Sequence, residues 1–306
     1  MSEKALVVRG SKNLFTLIPL GYSDQSNEIE CRVKGKILKG VDGYYNPLAP
    51  GDIVEIKDGQ IIGLKKRRNE FARFNQKGRA PQLLASNLDL VLCVTSPVSP
   101  PFRPRFIDRV LLQADIADIP AAIVCNKYDL SKDSLDLDTE ERLSDFERIG
   151  YPVFRLSAHT GQGLDELKSF VKGKFSMLVG QSGVGKSSLI KALIPDLEIK
   201  IGDINTKYNR GKHTTTQGVL LEALGMRFID TPGIRFFALA GINAADLILY
   251  MREFAPLAGK CSFGLSCSHE TEVGCKILEA ISAGVIHEDR WTSFLRIREE
   301  LSKSHE

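Results

Sequence analysis

Apolar and polar positions follow two different patterns along this chain. Up to Leu64, short alternations such as Ile29-Glu30-Cys31-Arg32-Val33, Asp52-Ile53-Val54-Glu55-Ile56 and Gln60-Ile61-Ile62-Gly63-Leu64 are cut by Gly and Asp turns. A period of two with closely spaced turns predicts a small barrel or sandwich. An oligonucleotide-binding (OB) barrel suits a β-rich stretch of about 60 residues. From Leu88 the apolar residues run together instead. Leu88–Val94, Ala121–Cys125 and Phe175–Val179 predict buried parallel strands. Between the first two, Ile107, Val110, Leu111 and Ala114 recur at helical spacing. Strand and helix alternating to about residue 238 predict a doubly wound α/β sheet. Beyond it, Asn243 can cap a helix running through Phe254, and His287–Leu301 predicts another.

A polar stretch joins the two patterns. It opens at Lys65-Lys66-Arg67-Arg68, passes Phe71-Ala72-Arg73-Phe74, and ends near Ala85. Arginines interleaved with aromatics suit either a linker or an RNA contact. The expected organisation is a barrel over 1–68, a linker over 69–86, an α/β domain over 87–238 and a helical tail over 239–306.

Composition narrows the class. With 43% apolar residues among 306, the chain is not a disordered one. No apolar run approaches the roughly 20 residues of a membrane span, and Met1–Leu6 opens no apolar signal region. A soluble, cytoplasmic, monomeric protein is expected. Charge is unevenly placed. Residues 1–86 hold 15 basic and 9 acidic side chains, whereas 239–306 hold 7 and 10. The first place to look for a nucleic-acid surface is therefore the amino-terminal part, although a solvated lysine-rich face would give the same balance.

The chemistry lies in the α/β region. Gly180-Gln181-Ser182-Gly183-Val184-Gly185-Lys186-Ser187 matches G-x-x-x-x-G-K-[ST] between a predicted strand and the helical run from Ser188. In such a loop, backbone N–H groups of Gly180–Ser188 cradle phosphates at a helix amino terminus. Lys186 reaches the β- and γ-phosphates, and Ser187 binds Mg²⁺. Asn126-Lys127-Tyr128-Asp129 follows the strand Ala121–Cys125. A carboxylate at Asp129 can accept from both N1–H and the exocyclic amine of guanine, a pair adenine lacks. Alone this could be an ordinary turn; beside a phosphate loop it points to GTP. Ser157-Ala158 would offer backbone N–H groups to the guanine oxygen. Asp230-Thr231-Pro232-Gly233 follows the strand Met226–Ile229, with Asp230 suited to Mg²⁺ and the Gly233 N–H to the γ-phosphate. Hydroxyls for Mg²⁺ also come from Thr214, Thr215 and Thr216. Thr215 is the candidate, though spacing does not separate the three.

Cysteines divide into two sets. Cys31, Cys93 and Cys125 sit singly in apolar surroundings and read as buried thiols. Cys261, Cys267, His269 and Cys275 cluster, and three thiolates with one imidazole read as a closed, structural zinc site. Iron–sulfur ligation and a metal-free thiol group are the alternatives.

In order along the chain, base recognition at Asn126–Asp129 and Ser157-Ala158 precedes Gly180–Ser187, the threonine segment and Asp230–Gly233. That rotated order, an OB-like start and a Cys/His tail resemble the ribosome small subunit-dependent GTPase A family, a family of circularly permuted GTPases. The resemblance implies hydrolysis of GTP to GDP and phosphate, stimulated by the small ribosomal subunit. It further implies a role in late maturation of that subunit through its ribosomal RNA, with zinc on the four tail ligands. A GTP-gated RNA-binding module, or a GTPase of another ribonucleoprotein, would show the same motifs. Two features depart from common patterns. Between its first two cysteines the family usually has one residue fewer, so the loop around Phe263-Gly264-Leu265 is expected to be enlarged. After Gly233 stands Ile234, where Ras-like enzymes soon supply a water-orienting glutamine. The nearest polar candidate is His213, and the resemblance points to a histidine there as the catalytic residue that positions water.

Overall fold

The computed structural model describes residues 2–11, 13–21, 27–34, 43–131, 137–195 and 218–303. Five strands close a barrel in the order β1-β2-β3-β5-β4: β1 (Glu3–Ser11), β2 (Leu14–Pro19), β3 (Ile29–Val33), β4 (Ile53–Lys57) and β5 (Gln60–Leu64). Alternate residues Ala5, Val7, Phe15, Leu17, Cys31, Val54 and Ile61 fill its interior, as the period of two requires. Val8 and Ile18 point outward and join the core of the neighbouring α/β unit, so the barrel packs directly against it.

Residues expected as a linker form a hairpin instead. β6 (Glu70–Asn75) pairs antiparallel with β7 (Ala80–Ser86) around the Gly78-Arg79 turn. Phe71 and Leu83 are fully buried, while Arg73 donates to Gln82 across the pair. Interleaved arginines conceal this alternation in the sequence, because each can cover apolar neighbours with its stem while solvating its head. A buried carboxylate, Asp52, fixes the hairpin to the barrel. It accepts from Arg67 Nε at 2.7 Å, Ser86 Oγ at 2.6 Å and the Ala49 N–H at 3.0 Å.

The α/β unit is a six-stranded sheet of order β10-β9-β8-β11-β13-β12. Its strands are β8 (Leu90–Thr95), β9 (Ala121–Cys125), β10 (Val153–Arg155), β11 (Phe175–Gly180), β12 (Val219–Ala223) and β13 (Met226–Asp230). All but β12 run parallel. Their side chains are buried on both faces between helices, which explains the continuous apolar runs. Around the sheet stand α1 (Pro104–Ile116), α2 (Leu137–Arg148), α3 (Leu164–Val171) and α4 (Lys186–Leu193). Pro104 opens α1 at a position where its missing N–H is harmless.

In the tail, the helix expected over Asn243–Phe254 contracts to Leu247–Tyr250. Asn243 Oδ1 accepts from the Asp246 N–H at 2.9 Å and so caps a turn ahead of it. The last helix, Glu288–Lys303, matches expectation closely. It is joined to the sheet's helices by a buried ionic group. Arg290 donates to Glu253 at 2.5 and 2.9 Å and to Asp108 of α1 at 2.8 Å.

Candidate functional site

Because β10, β9, β8, β11 and β13 are parallel, the loops leaving their carboxyl ends meet along one edge of the sheet. That edge is where open α/β sheets bind ligands. Gly180–Ser187 leaves β11 and enters α4. Gly183 and Gly185 hold φ of +86° and +91°, which a side chain would strain. A Cβ on Gly180 would lie 2.3 Å from the Val94 carbonyl oxygen. The motif's glycines thus serve the turn itself and its close approach to β8.

Lys186 is buried, and its Nζ donates to the carbonyls of Gly180 at 3.0 Å and Gln181 at 3.1 Å. Burial lowers its pKa, with the Asp230 charge opposing the shift. For Asp230 burial raises the pKa, opposed by Lys186, by Ser187 and by the Thr231 N–H. Ser187 Oγ donates to Asp230 Oδ2 at 2.9 Å, so residues 43 positions apart share one small polar site. Gly233 continues that contact. A Cβ there would sit 2.5 Å from Ser182 Cα, and the Ile234 N–H donates to the Gly180 carbonyl at 3.1 Å.

The Asn126–Asp129 loop is tied to the phosphate loop by two side chains. Asn126 Nδ2 donates to the Val184 carbonyl at 2.9 Å, and its Oδ1 accepts from the Ala158 N–H at 3.0 Å. Lys127 Nζ donates to the carbonyls of Gly183 at 2.7 Å and Ser99 at 2.8 Å. Its backbone takes a left-handed φ of +61°, a conformation costing roughly 1–3 kcal/mol for a side-chain-bearing residue. Asn126 and Lys127 therefore join loops. Asp129 is different: its Oδ1 is buried and has no hydrogen-bond partner among the described residues. A buried acceptor left so is costly, and it fits a donor-bearing ligand. Ser157 Oγ accepts from the N–H groups of His159 and Thr160, shaping the turn that presents Ala158.

Sequence reasoning missed the loop that follows β8. Its Ser99 carbonyl holds Lys127. Its Arg103 donates to Gln181 of the phosphate loop through Nη1 at 3.0 Å and Nε at 3.2 Å, with the amide oxygen turned toward the guanidinium. The sequence carries no signal for this, since it does not give the strand order that places β8 between β9 and β11. His213, Thr214, Thr215 and Thr216 lie outside the described residues.

In the tail, Cys261, Cys267, His269 and Cys275 bring their ligand atoms within 4.8 Å of one another, all four buried. Cys261 Sγ lies 3.8 Å from Cys275 Sγ, and His269 Nδ1 lies 3.5 and 3.4 Å from the two sulfurs. The loop around Phe263-Gly264-Leu265 forms a short 3-10 turn, Gly264–Ser266, with Phe263 and Leu265 exposed and Cys261 inside the cluster. Trp291 Nε1 donates to the His269 carbonyl at 2.8 Å, so the indole braces the cluster from behind.

The family model described as RsgA GTPase matches residues 64–240. The chain belongs to the RsgA GTPase family. Relatives named small ribosomal subunit biogenesis GTPase RsgA agree over most of its length. The one from Borrelia recurrentis is 35% identical, over 97% of this chain and 94% of its own. That from Porphyromonas gingivalis is 39% identical, over 89% and 90%. The crystal structure of YjeQ from Thermotoga maritima is 29% identical with a TM-score of 0.73, covering 98% of this chain and 99% of that one. YloQ, a circularly permuted GTPase, shares the fold with a TM-score of 0.69 at 23% identity, covering 99% of this chain and 96% of that one. A permuted order like that of YloQ's fold is visible in the sheet: the Asn126–Asp129 loop of β9 comes before the Gly180–Ser187 loop of β11 in the chain, yet the two meet across the carboxyl end of β8. Among the described residues no helix is long and apolar enough to cross a membrane.

Proposed function

We propose that this chain binds GTP at the β9–β11 edge and hydrolyses it in the biogenesis of the small ribosomal subunit, acting as a monomer in the cytoplasm. One observation carries the reading: Asn126 and Lys127 fasten a guanine-type loop to a phosphate loop, with the Asp129 Oδ1 left over for a ligand. Guanine's N1–H and exocyclic amine would supply what that oxygen lacks. The Ala158 N–H side of the Ser157 turn would face the base oxygen. Backbone N–H groups of Gly180–Ser188, Gln181 and Ser182 included, would receive the phosphates.

Lys186 would be the cation for the β- and γ-phosphates. It now satisfies its ammonium within its own loop, and phosphate oxygens would replace those carbonyl acceptors. Ser187, Asp230 and one threonine, Thr215 by preference, would hold Mg²⁺. The contacting hydroxyl and carboxylate of Ser187 and Asp230 are hard oxygen donors that fit that ion. Bound there, Mg²⁺ neutralises charge between the phosphates. Gly233 packs closely against Ser182 of the phosphate loop, which supports its N–H as a donor to the terminal phosphate.

Ile234 is buried and aliphatic, and it cannot orient water. Hydrolysis by the free protein should therefore be slow. His213 is the residue we assign to position water when the small subunit is bound. In the tail, three thiolates and an imidazole suit zinc. The 3.8 Å sulfur–sulfur separation is the edge expected of a tetrahedron with bonds of about 2.3 Å. Titration with GTP, GDP and ATP, together with cosedimentation with small subunits, tests the reading. Guanine-selective binding and comigration are expected; equal affinity for ATP would refute the base assignment.

A further inference from the structure

Beside the nucleotide edge lies a cavity of about 460 Å³ that the mechanism above does not use. It forms where the loop into α1, the segment after Gly233 and the last helix come together. Arg103 and Arg105 enter from the first, Arg235 and Phe236 from the second, and Arg296 from the third. All five side chains are exposed. Among the described residues, Arg103, Arg235 and Arg296 have no carboxylate within ion-pair distance, and Arg105 reaches only Asp289 at 3.8 Å. Phe236 is 48% exposed despite being aromatic. Its ring carries the guanidinium of the buried Arg109 at 5.0 Å, an arginine that is itself paired with Glu300 at 2.6 Å. Asp289 and Glu300 also line the cavity, so two carboxylates face five arginines, and such a surplus of positive charge around a half-open aromatic ring is otherwise unfavourable. Like charges repel, and the ring forgoes burial.

We propose that this cleft is an RNA-binding site that takes an unpaired nucleotide, with Phe236 as the stacking surface and the surrounding arginines on the phosphates. Guanidinium forks match phosphate oxygens in pairs, and base stacking on an exposed aromatic is the usual partner of such charge in single-strand recognition. The barrel is a separate place, so this chain would hold RNA at two ends. Arg235 and Phe236 directly follow the Gly233-Ile234 contact with the phosphate loop, and Arg103 touches Gln181 of that loop. RNA seated in the cleft thus bears on both sides of the terminal phosphate. The proposal rests on the reading that the partner is the small ribosomal subunit.

The test uses the full chain with Arg105→Gln and Arg296→Gln combined, neither residue belonging to the nucleotide site. Binding is measured to purified small subunits and to the same subunits' protein-free RNA, across a salt series. Loss of two phosphate contacts should weaken both by about tenfold near physiological salt and lower the salt slope by about 1.4. GTP affinity should be unchanged. Phe236→Ala should weaken RNA binding with no change in salt slope, separating stacking from charge. Parent-like affinity and slope in the double variant would overturn the proposal. So would a loss confined to intact subunits with free RNA unaffected, which would make the cleft a receptor for an acidic protein. If the parent itself fails to bind small subunits, the functional reading fails and not the cleft alone.

Discussion

On the proposed function base choice would turn on Asp129, whose Oδ1 is a buried carboxylate oxygen with no hydrogen-bond partner among the described residues. Asp129→Asn should weaken GTP binding by about 10- to 150-fold, the scale of one hydrogen bond to a charged group. Tolerance of xanthosine triphosphate should improve, because its C2 oxygen can accept from the new amide. Calorimetric titration of both nucleotides checks this. For catalysis, His213→Ala should cut subunit-stimulated hydrolysis by roughly 10²–10⁴-fold, the usual contribution of one positioned acid–base group. GTP affinity should stay near the parent's, so single-turnover rates and a binding titration together decide the role. At this scale the motif residues were legible because each needs a particular functional group at a fixed spacing. Ser99 and Arg103 were not, because they act through a backbone carbonyl and a contact between loops that only the strand order brings together.

Among the elements, strands buried on both faces were the easiest to read, since every side chain of β8, β9 and β11 is buried. The β6–β7 hairpin was hidden by its arginines. The expected Asn243–Phe254 helix stops at Tyr250, where Met251 turns to an extended backbone (φ −91°, ψ 112°) and still enters the tail's core with Phe254. Legibility was high again at the Cys/His cluster, where three thiols and an imidazole close together in sequence also meet in space. The tail's own core contains Cys261, Cys267 and Cys275 along with Phe254, Ile277 and Phe294. Removing the metal should therefore loosen residues 239–306 while the sheet, with its separate apolar core, keeps binding nucleotide. Cys267→Ser, or chelation of the parent, should raise hydrogen exchange in the tail and leave GTP affinity largely intact. Zinc content by elemental analysis accompanies that measurement, and protein purified without zinc would contradict the site.

Over the whole molecule, the three parts are fastened by buried charge rather than joined loosely. Asp52 with Arg67 fixes the barrel to the hairpin, and Arg290 with Glu253 and Asp108 fixes the tail to α1. Burial lowers the pKa of Arg290, yet the two carboxylates hold it well above its ordinary value. Arg290→Met would leave Glu253 and Asp108 buried without that partner. The loss should be about 3–5 kcal/mol, read as a melting temperature lower by on the order of 10 °C. The segment after Gly233 is where nucleotide state can enter this fastened frame. Phe237 packs on Phe71 of the hairpin, the Phe74 N–H donates to the Ala238 carbonyl at 3.0 Å, and Gln113 of α1 brackets Ala240 from both sides. A shift at Gly233 on gain or loss of the terminal phosphate would therefore be felt at the hairpin, at α1 and at the tail together. On the proposed function, this frame is a slow GTPase completed by the small subunit. Single-turnover hydrolysis of GTP by the parent protein tests this, alone and with purified small or large subunits. A slow rate alone, strong acceleration by small subunits and none by large ones are expected; a rate unaffected by small subunits, or raised equally by large ones, would overturn it.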